Sequence, residues 1–460
     1  MLAKRFKESF SSLVSGHKRL ADPIWVSRNA ALLLRLSMEK YLSRCCNRKR
    51  IMAIACWSFP IYSQNFVYQE LVQLINKGYA LRLLYFHEDD QCVLPDQFTA
   101  IWQGRRRLLS TTGWHDYQYL QNRYPQKMAA LIVLLAVETG KTAEELLGFA
   151  NLLHAFTFTR AVERYAPHYL HSYFFYEGAL LVFVASYLLG IPRGVSCYAD
   201  HLLDDYPIKI VRLHLQQARI IIATSKRIKT ELTGLAPSVD STKILVKPNA
   251  INCAAFPVVA LDRSPGRRCY RLVSVCRIEP KKGLIYLIEA MALLVQQEYS
   301  VSLHIIGGVD NCPVAEQYAA KLRRLVEHLQ LSSVVNLEGK KSENEIKDFF
   351  GRTDIFVAPF IETDQGDKDG IPTSILEAMA SGLPIIATDA GSIPEILDEE
   401  SGVLVGQRDP QALTTAIISL LADSEKRLRL GRKAGEKVRA EFDVTACEHI
   451  FHHRLAKIAC

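Results

Sequence analysis

The charged residues best suited to chemistry lie at two turns in the second half of the chain. Arg277, Lys281 and Lys282 follow a short apolar run, and Asp367 and Asp369 lie in a glycine-containing loop that follows another. Cations at the turn between a strand and a helix can neutralise the charge that a departing diphosphate accumulates in a group-transfer reaction. The pattern therefore favours an anion site. The alternative is an ordinary surface loop, and we expect Lys281 in particular to be solvated.

The elements that must position these residues alternate between strand and helix. Short apolar runs predict buried strands at 272–276, 301–306, 334–339 and 354–360. Helical patterns follow at 284–297, 342–350 and 373–380, with Gly382 at the expected end of the last one. This alternation predicts a parallel sheet with helices on both faces. A helix that begins at Thr373 offers free N–H groups and a positive dipole end, which suit a diphosphate.

The segment from Asp369 to Pro384 resembles the donor-binding signature of retaining glycosyltransferases of family 4, especially those that build bacterial exopolysaccharide and lipopolysaccharide. The family pattern is an acidic residue, seven others, a glutamate and then Ala-Met-Ala-x-Gly-x-Pro. Here these are Asp369, Glu377 and AMASGLP, with Asp369 in place of the usual glutamate. The resemblance implies that Asp369 lies beside the donor sugar and that Glu377 binds the ribose hydroxyls.

Further residues are assigned to the donor. The family places Arg and Lys five residues apart at the first turn, and Arg277 and Lys282 match that spacing, which assigns them to the diphosphate. A strand at 301–306 ends in a glycine pair, and glycine lets another group come close to the backbone because it has no side chain. The predicted donor-binding residues beside Glu377 are Gly307, Gly308, Gly370, Ile371, Pro372, Thr373 and Ser374.

Two other interpretations of the same residues are open. Ser374 and Glu377 have the spacing of a capping box, in which Glu377 would only bond the helix start. Asp367-Lys368-Asp369 is also a D-x-D, the metal-binding pattern of another large glycosyltransferase fold. The helix that follows it belongs to the metal-free fold, so we predict no metal ion and no cofactor, with the nucleotide sugar as a substrate.

The first half of the chain resembles the acceptor side of the family less closely. A strand is predicted at 51–56, and Gln64 replaces the acid of the loop that follows. His171 falls in a family landmark. Counting from Gly190-Ile191-Pro192, the acceptor-side histidine of the family falls on Tyr198, and its nearby acid on Asp200 or His201. The phenol of tyrosine, unlike imidazole, does not take up a proton near neutral pH, so we name both Tyr198, as a hydrogen-bond donor, and His201 as catalytic candidates.

The predicted fold is α/β, of the GT-B type, with two Rossmann-like domains that face each other across a cleft. The expected segments are a basic helical arm at 1–50, an acceptor-side domain at 51–256, a linker at 257–268, a nucleotide-sugar domain at 269–436 and a helix at 437–460 that crosses back. A length of 460 residues suits two domains. The apolar run at 129–137 is too short to span a membrane and is expected in the core.

Charge and cysteine usage indicate the environment. Residues 1–50 hold twelve lysines and arginines against three acids, an excess of nine, while the whole chain has a net charge of +8. This arm could lie on an anionic bilayer or pack on the first domain as a solvated extension. No nucleic-acid module accompanies it. Eleven scattered cysteines, with no C-x-x-C pair, no cleavable signal and no long apolar run, indicate a reducing cytoplasm.

The residues thus predict a metal-independent, retaining enzyme that moves a hexose-type sugar from a nucleoside diphosphate to a glycan or a lipid-linked acceptor. A sugar-nucleotide epimerase on the same fold and a non-catalytic nucleotide-sugar-binding homologue are the alternatives. A glycogen-type phosphorylase would need a pyridoxal-binding lysine context, which the sequence does not show.

Overall fold

The chain folds around two parallel sheets. This is a computed structural model that describes residues 50–61, 65–88, 96–175, 177–198, 206–259, 269–310 and 312–458. One sheet has seven strands in the order β3-β2-β1-β4-β5-β6-β7, and the other has six in the order β10-β9-β8-β11-β12-β13. We call each sheet with its helices the first and the second domain. The predicted α/β architecture of two domains, each built on a parallel sheet, is confirmed.

The first sheet begins where the sequence predicts it, with a strand buried by its apolar residues. Its strands are β1 (Ile51–Ala55), β2 (Ala80–Tyr85), β3 (Arg105–Arg107), β4 (Tyr169–Tyr173), β5 (Arg193–Cys197), β6 (Ile220–Ala223) and β7 (Ile244–Val246). Its helices are α1 (Asn65–Asn76), α2 (Gly113–Arg123), α3 (Pro125–Thr139), α4 (Ala143–Gly148), α5 (Ala150–Tyr165), α6 (Glu177–Leu189), α7 (Val211–Gln217) and α8 (Lys226–Leu235).

Helices α2 to α5 form a helical insertion between β3 and β4. Within it, α3 buries Met128, Leu131 and Leu135 on one face. On the other face Val133 is 62% exposed and Val137 is 76% exposed. The prediction that the whole run at 129–137 is core is therefore wrong, because a helix at the surface of a domain buries only the residues three or four apart on one side.

The second sheet follows the predicted order of elements. Its strands are β8 (Tyr270–Val275), β9 (Val301–Ile306), β10 (Val335–Gly339), β11 (Ile355–Ala358), β12 (Ile385–Thr388) and β13 (Val403–Val405). Its helices are α9 (Leu284–Gln296), α10 (Pro313–His328), α11 (Glu343–Phe350), α12 (Thr373–Ala380), α13 (Pro410–Ala422) and α14 (Ser424–Glu441). Strand β9 and helix α12 have the predicted bounds, and the other predicted strands differ by one or two residues at one or both ends.

The end of the chain returns to the first domain as α15 (Val444–Ile458). Phe451 and Leu455 are buried in the core beside β1 and α1. The crossing begins after α14 ends, since Asp443 accepts from the backbone N–H groups of Thr445 and Cys253 at 2.9 and 3.0 Å and fixes the turn. Residues 260–268 of the predicted linker and residues 1–49 of the basic arm lie outside the described residues. Across the described part of the chain, the helices are all too short or too polar to cross a membrane.

Candidate active site

The candidate site lies at the carboxyl ends of β8 and β11. These neighbouring strands stand where the strand order of the second sheet reverses, since β9 and β10 lie on one side and β12 and β13 on the other. Loops that leave adjacent strands in opposite directions leave a crevice between them. Residues 276–283, which we call the cation turn, follow β8, and residues 359–372, which we call the acidic loop, follow β11.

The cation turn and the acidic loop meet through two ion pairs. Lys282 Nζ lies 2.5 Å from Asp369 Oδ2, and Lys281 Nζ lies 3.1 Å from Asp367 Oδ1. Lys282 is 8% exposed and its ammonium group also lies 4.3 Å from the centre of the Phe360 ring. Burial would raise the pKa of Asp369, but Lys282, Lys281 and Arg277 outweigh it and lower that pKa, so the carboxylate is ionised near neutral pH.

This geometry corrects one expectation about the cations. The side chain of Lys281 is only 16% exposed, so it is not solvated as predicted. Gly283 explains why the two lysines face inward. It has a φ of 59°, and a Cβ there would lie 1.9 Å from the carbonyl oxygen of Pro359, so only glycine lets the cation turn press against the acidic loop.

Arg277 lies at the same turn but is more open. Its guanidinium pairs with Asp310 at 2.8 Å and with Glu279 at 3.1 Å, and its side chain is 43% exposed. The three cations therefore form a gradient from buried Lys282 to half-exposed Arg277. A diphosphate in the crevice would compete with carboxylates for all three.

Helix α12 begins at Thr373 without a side-chain cap. Pro372 is the N-cap residue and makes no side-chain hydrogen bond. Ser374 is therefore the second residue of the helix and Glu377 the fifth, so the capping-box interpretation is wrong. The helix start leaves backbone N–H groups beside the acidic loop, as an anion site requires. Gly382 follows the helix with a φ of 75°, as predicted.

Glu377 is a half-buried carboxyl group on α12 that receives no hydrogen bond from the described residues. Burial, with a smaller contribution from nearby Glu343, raises its pKa to about 8, although Lys347 opposes the change. The two acids of the site therefore differ, because Asp369 has an ammonium group in direct contact and a lowered pKa. An acid without such a partner is available for a ligand.

The two glycines after β9 have different roles. A Cβ at Gly307 would lie 1.7 Å from the carbonyl oxygen of Cys276, so this glycine is needed for the close approach of the two strand ends. Gly308 has more room, since the nearest atom to a Cβ there would be Lys340 Cβ at 3.7 Å. The carbonyl oxygen of Gly308 accepts from the N–H group of Ile278 at 2.9 Å. Both glycines lie beside the start of the cation turn.

Three aromatic side chains pack together at the carboxyl ends of β4 and β5 in the first domain. Tyr198 directly follows β5, and its ring centre lies 4.9 Å from that of Phe66 and 4.8 Å from that of Phe174. Phe174 has a φ of 74°, a backbone conformation that costs free energy in a bulky residue and is often found at functional sites. His201, Asp200 and Gln64 lie outside the described residues.

His171 is a core residue of β4 and not a group at the surface of the cleft. It is fully buried, and its Nε2 lies 2.9 Å from Ser196 Oγ. Burial lowers the pKa of His171 to about 4, so the imidazole is neutral near pH 7.

A pocket that is partly open to solvent lies between α1 and α15 beside Tyr198. Two buried acceptor atoms at this pocket, Gln69 Oε1 and Asn249 Oδ1, have no hydrogen-bond partner among the described residues. The amide nitrogen of Asn249 donates to the carbonyl oxygen of Ile371 at 2.8 Å, so the pocket wall touches the acidic loop. Also in this wall, Lys247 forms an ion pair with Glu70.

Sequence reasoning missed the contacts between the two domains. Gly370 faces the first domain, because a Cβ there would lie 3.4 Å from Thr224 Oγ1 and 3.7 Å from the carbonyl oxygen of Tyr198. Arg227 of α8 donates to the carbonyl oxygen of Asp369 at 3.1 Å. The available signal was the basic helix start after β6, but its partner lies 142 residues away.

The D-x-D carboxylates face ammonium groups in this arrangement. Among the described residues, no group of three histidine, cysteine or acidic side chains is placed to hold a metal ion. Asp367 and Asp369 each have a lysine as partner instead.

The chain is similar to known glycosyltransferases. Residues 268–437 match the family model described as Glycosyl transferases group 1. The chain is 25% identical over 420 residues to the amylovoran biosynthesis glycosyltransferase AmsK of Erwinia amylovora, in an alignment that covers 87% of this chain and 97% of that protein. It is 31% identical over 189 residues to the putative colanic acid biosynthesis glycosyltransferase WcaL of Escherichia coli K12, covering 41% of this chain and 44% of that protein.

The fold has counterparts among solved structures. The crystal structure of Anabaena Alr3699/HepE in complex with UDP and glucose superposes with a TM-score of 0.66 at 15% identity, over 89% of this chain and all of that one. The resemblance to glycosyltransferases of the GT-B fold, including those of bacterial exopolysaccharide synthesis, is confirmed.

Proposed function

We propose that this protein, a glycosyltransferase with the GT-B fold, transfers a hexose-type sugar from a nucleoside diphosphate to a glycan or lipid-linked acceptor in surface polysaccharide synthesis. The observation that carries the proposal is the buried Lys282–Asp369 pair at the switch point of the second sheet. A charged pair is costly to bury, so its presence in a crevice favours a catalytic role over a structural one. The similarity to AmsK and WcaL supports a surface polysaccharide as the product.

The diphosphate would lie between the cation turn and the first turn of α12. Lys282 and Arg277 would neutralise the charge that the diphosphate gains as the sugar leaves, and the N–H groups from Thr373 onward would bind its oxygens. A diphosphate in this position would also contact Gly307, Gly308 and the residues from Gly370 to Ser374, which the sequence predicts to bind the donor. HepE, which has the same fold, was crystallised with UDP and glucose, which favours a nucleotide of this kind.

Asp369 would lie beside the donor sugar as an ionised carboxylate. A glycosyl transfer passes through a state with positive charge on the sugar ring, which a nearby carboxylate stabilises. The lowered pKa of Asp369 keeps it in that form near neutral pH. By the family resemblance, we propose that the anomeric configuration is retained, and proton NMR of the product would test this directly.

Glu377 would bind the ribose hydroxyl groups. It is half-buried on α12, the helix whose first turn would bind the diphosphate, and has no hydrogen bond from the described residues. A carboxylate can accept from two hydroxyl groups at once.

The acceptor would enter beside Tyr198. The pocket between α1 and α15 offers aromatic surface to the apolar face of a sugar ring. Gln69 Oε1 and Asn249 Oδ1, which lack partners within the described chain, suit hydroxyl donors. Asn249 also contacts the acidic loop, so an acceptor in this pocket would lie next to the donor. His201 stays a candidate from the sequence.

We propose that the reaction needs no metal ion and no cofactor. The lysines that face Asp367 and Asp369 already supply positive charge where a D-x-D motif would hold a cation. Turnover should therefore be unchanged in EDTA. Loss of turnover that manganese restores would instead identify Asp367 and Asp369 as metal ligands.

We propose a cytoplasmic location, peripheral on an anionic membrane through the basic arm at 1–50, where lipid-linked acceptors are found. Each lysine or arginine near an anionic surface contributes about 1 kcal/mol, and screening acts over roughly 8–10 Å, so binding should weaken with salt. Sedimentation with anionic vesicles, compared for the full chain and a variant lacking residues 1–50, tests this. If the full chain ignores the vesicles at low salt, the membrane proposal is wrong.

A panel of nucleotide sugars tests the donor. A ligand that binds only the native state raises the melting temperature, so the true donor should stabilise the wild type. Glu377→Ala should lose this shift and keep the melting temperature of the unliganded protein. Glu436→Ala, which removes an exposed glutamate on α14, should keep the shift. A wild-type protein stabilised by no nucleotide sugar would contradict the proposed function.

A further inference from the structure

The first turn of α8 in the first domain is held by a turn of the second domain. Residues 389–395, which we call the serine turn, follow β12. Glu395 accepts from the backbone N–H groups of Lys226 at 2.7 Å and of Arg227 at 2.8 Å. Ser392 Oγ donates to Ser225 Oγ, the N-cap of α8, at 2.8 Å. Ser225 and Ser392 are both fully buried, so this contact excludes water.

The side chain of Arg227 extends the contact to the acidic loop. Its Nε donates to Ser392 Oγ at 3.1 Å, and its Nη2 donates to the carbonyl oxygen of Asp369 at 3.1 Å. Its Nη1 pairs with Glu231 Oε1 of the same helix at 2.6 Å. The planar guanidinium is thereby held by three acceptors in a fixed fork, an arrangement that lysine cannot reproduce.

The peptide group of Asp369 is consequently fixed from both domains. Arg227 of the first domain binds its carbonyl oxygen. Gly391 of the serine turn covers the same oxygen with a φ of 58°, and a Cβ at Gly391 would lie 2.2 Å from it. Lys282 holds the Asp369 carboxylate. Of these three contacts, the one with Arg227 comes from across the cleft.

These contacts exist only while the two domains lie together. The first N–H groups of a helix have no partner within the helix, and a carboxylate at that end is stabilised by both hydrogen bonds and the helix dipole. Separation of the domains would return Glu395 and the start of α8 to water. The contacts of Arg227 and Glu395 therefore contribute to the free energy of domain closure.

We propose that Arg227 and Glu395 form a latch that holds the domains closed and, in closing, positions Asp369 against the donor sugar. Arg227 is a positioning residue, since it contacts the backbone of Asp369 and not the substrate. The inference rests on the proposed function for the role of Asp369, whereas the closure itself does not depend on that role.

The test compares Arg227→Ala, Glu395→Ala and the double variant with the wild type. Each single change should lower kcat about ten- to a hundredfold, because each removes charge-assisted hydrogen bonds that form only in the closed state. Affinity for the nucleotide should change less than about threefold, since the proposed diphosphate and ribose contacts lie within the second domain. The double variant should be no slower than the worse single one, because both residues act through one latch.

Conservative variants separate positioning from folding. Arg227→Lys should recover only part of kcat, since the fork is lost although the charge remains. Glu395→Gln keeps one accepting oxygen and should fall between the wild type and Glu395→Ala. If either alanine variant melts at a much lower temperature than the wild type, these two conservative variants test the latch in its place.

Small-angle scattering gives the readout that does not depend on activity. The latch variants should have a larger radius of gyration than the wild type. Arg212→Ala is the matched control, because Arg212, whose side chain is 60% exposed, pairs with Glu138 at 2.8 Å inside the first domain. This variant should change neither kcat nor the radius. Latch variants with wild-type kcat and an unchanged radius would overturn the inference. If the wild type binds no nucleotide sugar, the proposed function fails, while the radius still decides whether the latch exists.

Discussion

The two domains share one doubly wound plan, yet the carboxyl edges of their sheets carry different chemistry. In the second domain the cation turn and the acidic loop place Lys282 against Asp369. In the first domain the corresponding edge carries the rings of Phe66, Phe174 and Tyr198. The plan supplies an edge where loops meet, and the residue types at that edge decide what it binds. Charges suit a diphosphate, and rings suit the apolar face of a sugar.

Titratable groups are buried in two ways in this molecule, either alone or as an ion pair, and the first domain holds both kinds, since Lys247 pairs with Glu70 there. His171 in the first sheet is kept neutral by burial, which lowers its pKa to about 4. Lys282 and Asp369 in the second are buried as a charged pair, with the pKa of Asp369 lowered despite burial. A neutral group costs little to bury without an ion partner, whereas each charge needs the other. Removal of one charge from the Lys282–Asp369 pair should therefore lower turnover more than a change on the aromatic side of the first domain.

The largest effect is expected from Lys282→Ala. It leaves the Asp369 carboxylate without its nearest cation and removes charge stabilisation of the diphosphate, so turnover should fall about a hundred- to a thousandfold. Steady-state kinetics with saturating donor measures this. Lys437→Ala is the control, because Lys437 pairs with Asp398 at 2.6 Å and is 18% exposed, but lies on α14. Equal losses in the two variants would mean that the Lys282 pair is only structural.

Arg277→Ala should reduce turnover less, by about tenfold, because its guanidinium is half-exposed and its interactions are screened by water. The ratio of wild-type to variant turnover should also shrink as salt is added. Titration of turnover against ionic strength for both proteins gives that comparison. A loss as large as that of Lys282→Ala, independent of salt, would contradict the gradient of burial across the cation turn.

The pH dependence of nucleotide binding tests Glu377. With its pKa at about 8, Glu377 is mostly protonated at pH 7, and the ionised form accepts from the ribose hydroxyls. Affinity should therefore rise about tenfold from about pH 7 to about pH 9, with release of a proton on binding at the lower pH. Titration calorimetry in buffers of different ionisation enthalpy detects that proton.

Glu377→Gln provides the control for this pH effect. Its nucleotide affinity should be lower than that of the wild type at the alkaline end of the range and nearly constant across it. The raised pKa of Glu377 also affects the free energy of unfolding. Between the ordinary pKa of a glutamate and about 8, the folded wild type keeps a proton that the unfolded chain has lost. The free energy of unfolding of the wild type therefore falls as pH rises through that window. The Gln variant should lack that part of the decline. Identical profiles would show that Glu377 titrates normally.

The smallest effect is expected on the aromatic side. Tyr198→Ala removes a ring that packs on Phe66 and Phe174, and the KM for the acceptor should rise about three- to tenfold while donor affinity stays the same. Tyr198→Phe keeps the ring and should be close to the wild type. If instead the Phe variant is as impaired as the Ala variant, the hydroxyl group of Tyr198 is the functional element.

The sequence by itself determined seven elements of the second domain, the strands β8 to β11 and the helices α9, α11 and α12, and indicated most of its candidate site. Strand β9 at Val301–Ile306 and helix α12 at Thr373–Ala380 have their predicted bounds, because apolar periodicity and the flanking glycine and proline act over a few neighbouring residues. Arg277, Lys282, Asp369 and Glu377 could be chosen because a strand-to-helix turn fixes which residues reach the edge of the sheet.

Tertiary structure alone decided how those residues are partnered. The burial of Lys281, the exposed face of α3 and the uncapped start of α12 depend on what packs beside each element, which spacing along the chain does not specify. Glu395 and Arg227 are 168 residues apart, and their contact requires both sheets to form and both domains to close. Local interactions select the elements, whereas the alignment of distant strand ends and the free energy of domain closure select the partners.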